Sequence, residues 1–300
     1  MGGMSRGIAR SVLPVGARRF LRSLLRRPGH DPGGPPLDLR ALPLADPLLG
    51  WRRSGWRRFL ADVPIERMRI LDLMGFSCAP GAPNPFVATV RGILEGSVGG
   101  YEDTELRRYY ESFRPRRVCD LYGFPPAACS ASLREPAIHA VSPWQRPPGA
   151  HMVAVRRKVN ATDHAPFDDL PCGDDSWLDW GPVSPAKAAI EYRRLAGLAA
   201  SIAARGYLPE ELGDDGHMTA HLLVSGERSV AWIMKGHHRA AVLAALGHPT
   251  APVLVLRRFR REEVGDWPGV ASGAFTPEQA LRAFDIVFSG RRPPAPGCDW

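Results

Sequence analysis

Between Ser184 and Gly206 the apolar side chains Ile190, Leu195, Leu198 and Ile202 recur at helical spacing. Ser184 can cap the first turn, Pro185 opens it and Gly206 stops it, so the pattern predicts a helix. Two strand-like runs follow at 217–224 and 229–234, joined by a tight turn that marks a hairpin. Directly after Lys235-Gly236-His237-His238-Arg239 an alanine- and leucine-rich helix is expected, stopped by Gly247, and then a short buried strand over 251–256. Thr276-Pro277-Glu278-Gln279 has the form of a capping box and predicts a last helix through Leu281, Phe284 and Phe288.

The first half of the chain is less regular. Asn84 before Pro85 predicts a helix start, continuing through Phe86, Val90 and Leu94. A second helix from about Glu102 to Phe113 would place Leu106, Tyr109, Tyr110 and Phe113 on one face. Residues 51–60 interleave Trp51 and Trp56 with four arginines and read as a helix start whose arginines reach over an apolar face. Residues 28–50 and 124–150, rich in Pro and Gly, read as linker and loop, and 151–159 reads as a strand. The fold class expected is α+β. The expected division is an arm over 1–30, a mainly helical Pro/Gly-rich region over 31–150, an acidic linker over 151–180 and a mixed-sheet domain over 181–300.

Composition narrows the classes. At 300 residues with 44% hydrophobic positions, a packed core is expected, and no run of 18 apolar residues exists to cross a membrane as a helix. The 31 glycines and 30 prolines imply long loops and short elements. The five cysteines form no Cys-x-x-Cys pair and fit no zinc-ribbon spacing, which with the lack of a secretory leader points to the cytoplasm.

Charge is unevenly placed. Residues 1–30 hold seven arginines and no acid, while the other 270 residues carry 32 basic and 31 acidic groups. A balanced body counts against nucleic acid as a partner. Within residues 1–27, Phe20, Leu21, Leu24 and Leu25 share a helical face opposite Arg18, Arg19, Arg22 and Arg26. That is the pattern of a basic amphipathic helix on the anionic inner face of a membrane.

Six aspartates, Asp163, Asp168, Asp169, Asp174, Asp175 and Asp179, fall in one stretch without a Lys or Arg. They lack the spacing of a calcium loop and read as a solvated segment. His217, His221, His237 and His238 offer imidazoles for a metal hydrolase, but no metal-binding motif joins them, and no metal site is expected.

The junction at 235–239 carries the most chemistry. A strand runs into a glycine and then into a helix that begins His-His-Arg. Free backbone N–H groups and the positive end of the helix dipole meet there, Gly236 lets a ligand approach, and Arg239 can fork onto phosphate oxygens. Lys235, Gly236, His237, His238 and Arg239 are therefore the candidate phosphate-binding residues.

This loop, with the helix before it and the alanine-rich helix, glycine and strand after it, resembles the ParB/sulfiredoxin-like superfamily over about residues 184–260, more weakly to 288. The segments 181–184 and 267–288 also resemble uncharacterised bacterial members associated with surface-polysaccharide gene neighbourhoods. The resemblance implies a small mixed sheet with helices and a loop that holds nucleotide phosphates, with ATP or another NTP and Mg²⁺ as cofactors. The sulfiredoxin-type Cys is replaced by His237, so sulfinic-acid reduction through that position is excluded. No room remains downstream for the DNA-binding domain of the ParB relatives that clamp DNA. The loop is nearer to that of free-serine kinases, which need a carboxylate base. Glu210 and Glu211 are the candidates by position, with His237 as a third catalytic candidate and Asp214 and Asp215 as competitors.

Two functions from different classes are expected. One is an ATP-dependent phosphotransferase or NTPase acting through the 235–239 loop. The other is a nucleotide-sensing scaffold without turnover, docked at a membrane by its arm and to a protein partner by its helical region. A ParB-like DNA-binding role ranks below both.

Overall fold

The computed structural model of the chain describes residues 34–44, 46–145, 149–164, 167, 170, 179–211 and 216–292. Seven strands form one mixed sheet: β1 (Leu37–Asp38), β2 (Phe59–Pro64), β3 (Met68–Ile70), β4 (Phe76–Ser77), β5 (Met218–Ser225), β6 (Arg228–Lys235) and β7 (Thr250–Arg260). Their order is β1-β2-β7-β5-β6-β3-β4. The α-helices are α1 (Pro47–Arg53), α2 (Pro85–Leu94), α3 (Glu105–Ser112), α4 (Val118–Tyr122), α5 (Gly149–His164), α6 (Pro185–Arg205), α7 (His237–Ala245), α8 (Pro268–Ala271) and α9 (Pro277–Ser289).

The middle of the sheet is the hairpin β5–β6 and the strand that follows α7. β5 pairs antiparallel with β6 and parallel with β7. The antiparallel partner of β7 on its far side is β2, in register from Phe59 opposite Val255 to Pro64 opposite Thr250. β3 runs parallel to β6 and closes that edge with β4. Phe59, Ala61, Val253 and Val255 are fully buried, each larger side chain contributing about 1.5–3 kcal/mol by leaving water.

This topology overturns the expected division of the chain. Residues 31–150 do not form a separate helical region: they contain β1 to β4, which flank the C-terminal strands in a single sheet. The pairing joins positions nearly 200 residues apart, and short strands such as Met68–Ile70 carry too few residues to show a period of two. Within the stretch read as linker, residues 34–50 include β1 and the start of α1. The segment 51–60 ends one helix at Arg53 and begins β2 at Phe59.

Residues 151–159, expected as a strand, lie in α5. The buried positions there are Arg156 and Asn160, four apart as one helical face requires, while Val155 and Val159 are exposed. The arm over 1–30, Asp168, Asp169, Asp174, Asp175, Asp214, Asp215, Cys172 and Cys298 lie outside the described residues.

The capping signals place their helices as expected. The Asn84 side chain accepts from the N–H groups of Phe86 and Val87, Ser184 accepts from Lys187, and Thr276 and Gln279 form a reciprocal capping box. α7 lies against β3 and β5 and is covered by α2 and α6, and α9 lies against β6. No helix among the described residues is long and apolar enough to cross a membrane.

Candidate functional site

A cavity of about 1140 Å³ is lined by α5, α6, the end of β6, the first turn of α7, and Arg257 and Phe259 of β7. The sequence builds this site from the α7 turn outward. Gly236 sits at φ +98, a left-handed conformation that favours glycine, and an added Cβ would lie 2.7 Å from Met218 Cγ. His237, His238 and Arg239 of the first turn line the cavity, and no side chain caps the helix. Arg239 folds beside Gly236 and donates to the Gly216 carbonyl.

The two histidines do different work. His237 Nδ1 accepts from the Leu71 N–H at 3.1 Å, so its neutral ring carries the hydrogen on Nε2. Burial first, then neighbouring His238, Arg194 and Arg239, push its pKa down to about 3. His238 is buried: its Nε2 lies 2.5 Å from Glu191 Oε2, and its ring packs edge-on against Phe86.

Glu191 is the hub of a buried charge cluster. It is fully buried on α6, with Lys187 Nζ at 2.6 Å and Arg194 at 3.6 Å. Burial opposes its ionisation, but His238, Lys187 and Arg194 outweigh that and hold the carboxyl well below its ordinary range. One carboxylate thus faces three cationic or hydrogen-bonding partners at the cavity wall. Lys235 adds an exposed ammonium at the rim.

Two further carboxylates line the cavity from other parts of the chain, Asp72 and Asp179. Asp72 follows Leu71 in a turn where both hold positive φ, 62 and 42. Its carboxylate pairs with Arg156 at 3.2 Å, and its backbone carbonyl accepts from the Trp232 indole at 2.9 Å. Burial pushes the Asp72 carboxyl up against the pull of Arg156. Asp179 is placed by docking on α3: its carbonyl accepts from the Tyr109 hydroxyl, and Gly181 donates to the Phe113 carbonyl. Gly181 lies so close to the Tyr110 carbonyl that no Cβ fits there. Burial, then the Asp72 charge, push Asp179 up to about 7. The last aspartate of the acidic stretch, expected as solvated, is therefore packed into the site.

The structure brings Lys235, Gly236, His237, His238 and Arg239 together at the cavity. It does not bring Glu210 and Glu211 there. Both are exposed, and the Glu210 carboxylate is held by Arg40, with His217 Nε2 at 3.6 Å. His221 packs edge-on between Trp232 and Phe259. Among the described residues no group of three or more His, Cys, Asp or Glu is arranged to hold a metal ion.

The sequence reading missed Asp72, Arg156, Asn160, Lys187, Glu191 and Arg194. One signal was available. The chain uses arginine almost throughout and has three lysines, of which Lys187 and Lys235 both line the cavity. No family model, curated protein or solved structure matches the chain.

Proposed function

We propose that the chain binds the phosphates of a nucleotide at the 235–239 turn and transfers a phosphoryl group to a second substrate in the same cavity. The observation that carries this is the juxtaposition of an uncapped helix N-terminus, flanked by Lys235, Arg239 and Arg194, with the carboxylates of Asp72 and Asp179 across one cavity. Helix N–H groups and cations hold developing negative charge on phosphate oxygens. The neutral His237 would donate its Nε2 hydrogen to the same oxygens. Asp179, poised near neutrality, is the group suited to take the proton of an acceptor hydroxyl. That oxygen forms the new bond to the terminal phosphorus as the bond to the bridging oxygen breaks and the nucleoside diphosphate leaves. Mg²⁺ would come with the nucleotide phosphates, which supply most of its ligands together with water.

The resemblance of residues 184–260 to the ParB/sulfiredoxin-like superfamily favours the same reading. Asp179 replaces Glu210 and Glu211 as the proposed base, because neither glutamate reaches the cavity lining.

The test is calorimetric titration of the full chain with ATP, ADP and CTP, with and without Mg²⁺, beside Lys235→Ala and Arg239→Ala. The full chain is needed because β1 to β4 complete the sheet. Binding weakened roughly tenfold or more in each folded variant is expected, the loss of a charge-assisted phosphate contact. No heat with any nucleotide would overturn the proposal. Binding without transfer to any acceptor would leave the scaffold function.

A further inference from the structure

We infer that the inward face of α5 is the acceptor subsite of this cavity and takes a neutral amphipathic alcohol, with its hydroxyl between Asn160 and Asp179 and its apolar body along Val155 and Val159. The inference rests on the phosphotransfer reading for its chemistry, but its evidence is separate.

Asn160 is 6% exposed, lines the cavity, and its Oδ1 has no hydrogen-bond partner among the described residues. A buried amide oxygen left without a donor is costly, and a turn of the Asn160 side chain toward the cavity it lines would bring that oxygen to a donor on a ligand. One turn away on the same face, the charge of Arg156 is already engaged. Arg156 donates to the carbonyls of Ile138 and Ala140 and to Asp72. The guanidinium is consumed in fixing α5, so an anion gains nothing from this wall.

The rest of the face is apolar and unusually open. Val155 and Val159 are 37% and 53% exposed and both line the cavity, as do Met152 and Leu198. Water against these side chains is released by an apolar body. The cavity is also long. Lys187 and Leu198 of α6 both line it, and eleven residues of helix span about 16 Å. At about 1140 Å³ it exceeds the usual range for one ligand, roughly 300–1,000 Å³. Phosphates on the α7 side and a neutral alcohol on the α5 side use both walls.

In the transfer step the alcohol oxygen forms a bond to the terminal phosphorus of the nucleotide and its proton passes to Asp179. The nucleoside diphosphate is the leaving group, so atoms and charge balance without a further reactant.

The probes are 1-hexanol, 1-octanol and octanoate, followed by saturation-transfer NMR on the full chain without nucleotide, with ATP titrated separately by calorimetry. Val159→Glu keeps the fold, since Val159 is more than half exposed, and Asn160→Leu removes the orphan acceptor. Octanol binding that is tighter than hexanol, exceeds octanoate, and weakens roughly tenfold in both variants, with ATP affinity unchanged, supports the inference. ATP binding with no alcohol binding overturns the acceptor subsite and leaves the phosphate site standing. Alcohol binding without ATP binding keeps the subsite and overturns the nucleotide. Variants that weaken ATP instead would assign this wall to the nucleobase and overturn the inference.

Discussion

His237 Nδ1 accepts a hydrogen bond from the Leu71 N–H at 3.1 Å, joining the first turn of α7 to a segment 166 residues earlier. Leu71 and Asp72 are successive non-glycine residues at positive φ, a conformation that costs of order 1–3 kcal/mol per residue. The imidazole and the Trp232 indole clamp that turn from two sides, and the result is that Asp72 faces the cavity. Replacing His237 by Ala should lower the unfolding free energy by about 1–3 kcal/mol, the cost of an unpaired buried N–H. Urea denaturation reads this directly, and an unchanged midpoint would mean that the bond does not hold the turn.

Glu191 should matter more to stability than any surface ion pair. With Lys187 1% exposed, Glu191→Gln leaves a buried ammonium without its counter-charge. The expected loss is about 3–5 kcal/mol. Adding Lys187→Met to Glu191→Gln should restore part of it, because the second change removes the stranded charge. Equal stability of the single and double variants would contradict this account.

Gly236→Ala tests the turn itself. The new Cβ meets Met218 Cγ at 2.7 Å, and φ +98 is strained for any L side chain. A loss of about 1–3 kcal/mol is expected, and shortening Met218 should relieve only the steric part. Thermal unfolding of the two single variants and the double variant separates the contributions.

Asp179 makes stability depend on pH in an unusual sense. Its folded pKa of about 7 lies above the ordinary 3.8. The folded state therefore holds the proton longer, and the stability this contributes is present below about pH 4 and lost as pH rises through 7. Relative to Asp179→Asn, the wild type should lose up to about 1.4 kcal/mol per pH unit in that window. Denaturation midpoints of both proteins from pH 4 to 7 would show parallel curves if the carboxyl were not buried in this way.

His221 acts with the opposite sign. Burial, then Arg257, push its pKa down to about 4 from 6.5, so it is held neutral between Trp232 and Phe259. Its contribution is present above pH 6.5 and is lost as pH falls toward 4. His221→Phe should resist acid unfolding better than the wild type, with the gap opening across that range. A constant gap would assign the effect to packing alone.

Local signals were legible where one residue governs its own neighbourhood. Asn84, Ser184 and Thr276 announced three helices because a cap acts within three residues of itself. The hairpin and the 235–239 turn were legible for the same reason. Lys187 and Glu191 were not, since an i, i+4 ion pair reads alike whether it lies on a solvated face or in the interior. Residues 151–159 were not legible as a helix either, since Val155 and Val159 line an open cavity and only Arg156 and Asn160 among the described residues of that helix are buried.

By itself the sequence determined the capped helices, the β5–β6 hairpin and the glycine turn that opens α7 at Gly236, because each follows from steric and hydrogen-bonding preferences of adjacent residues. Only the tertiary structure decided which carboxylates accompany that turn. Asp72 arrives through a strand edge paired to β6, and Asp179 through a carbonyl held by Tyr109. Such placements depend on contacts between residues far apart in the chain, whose partners no local pattern specifies.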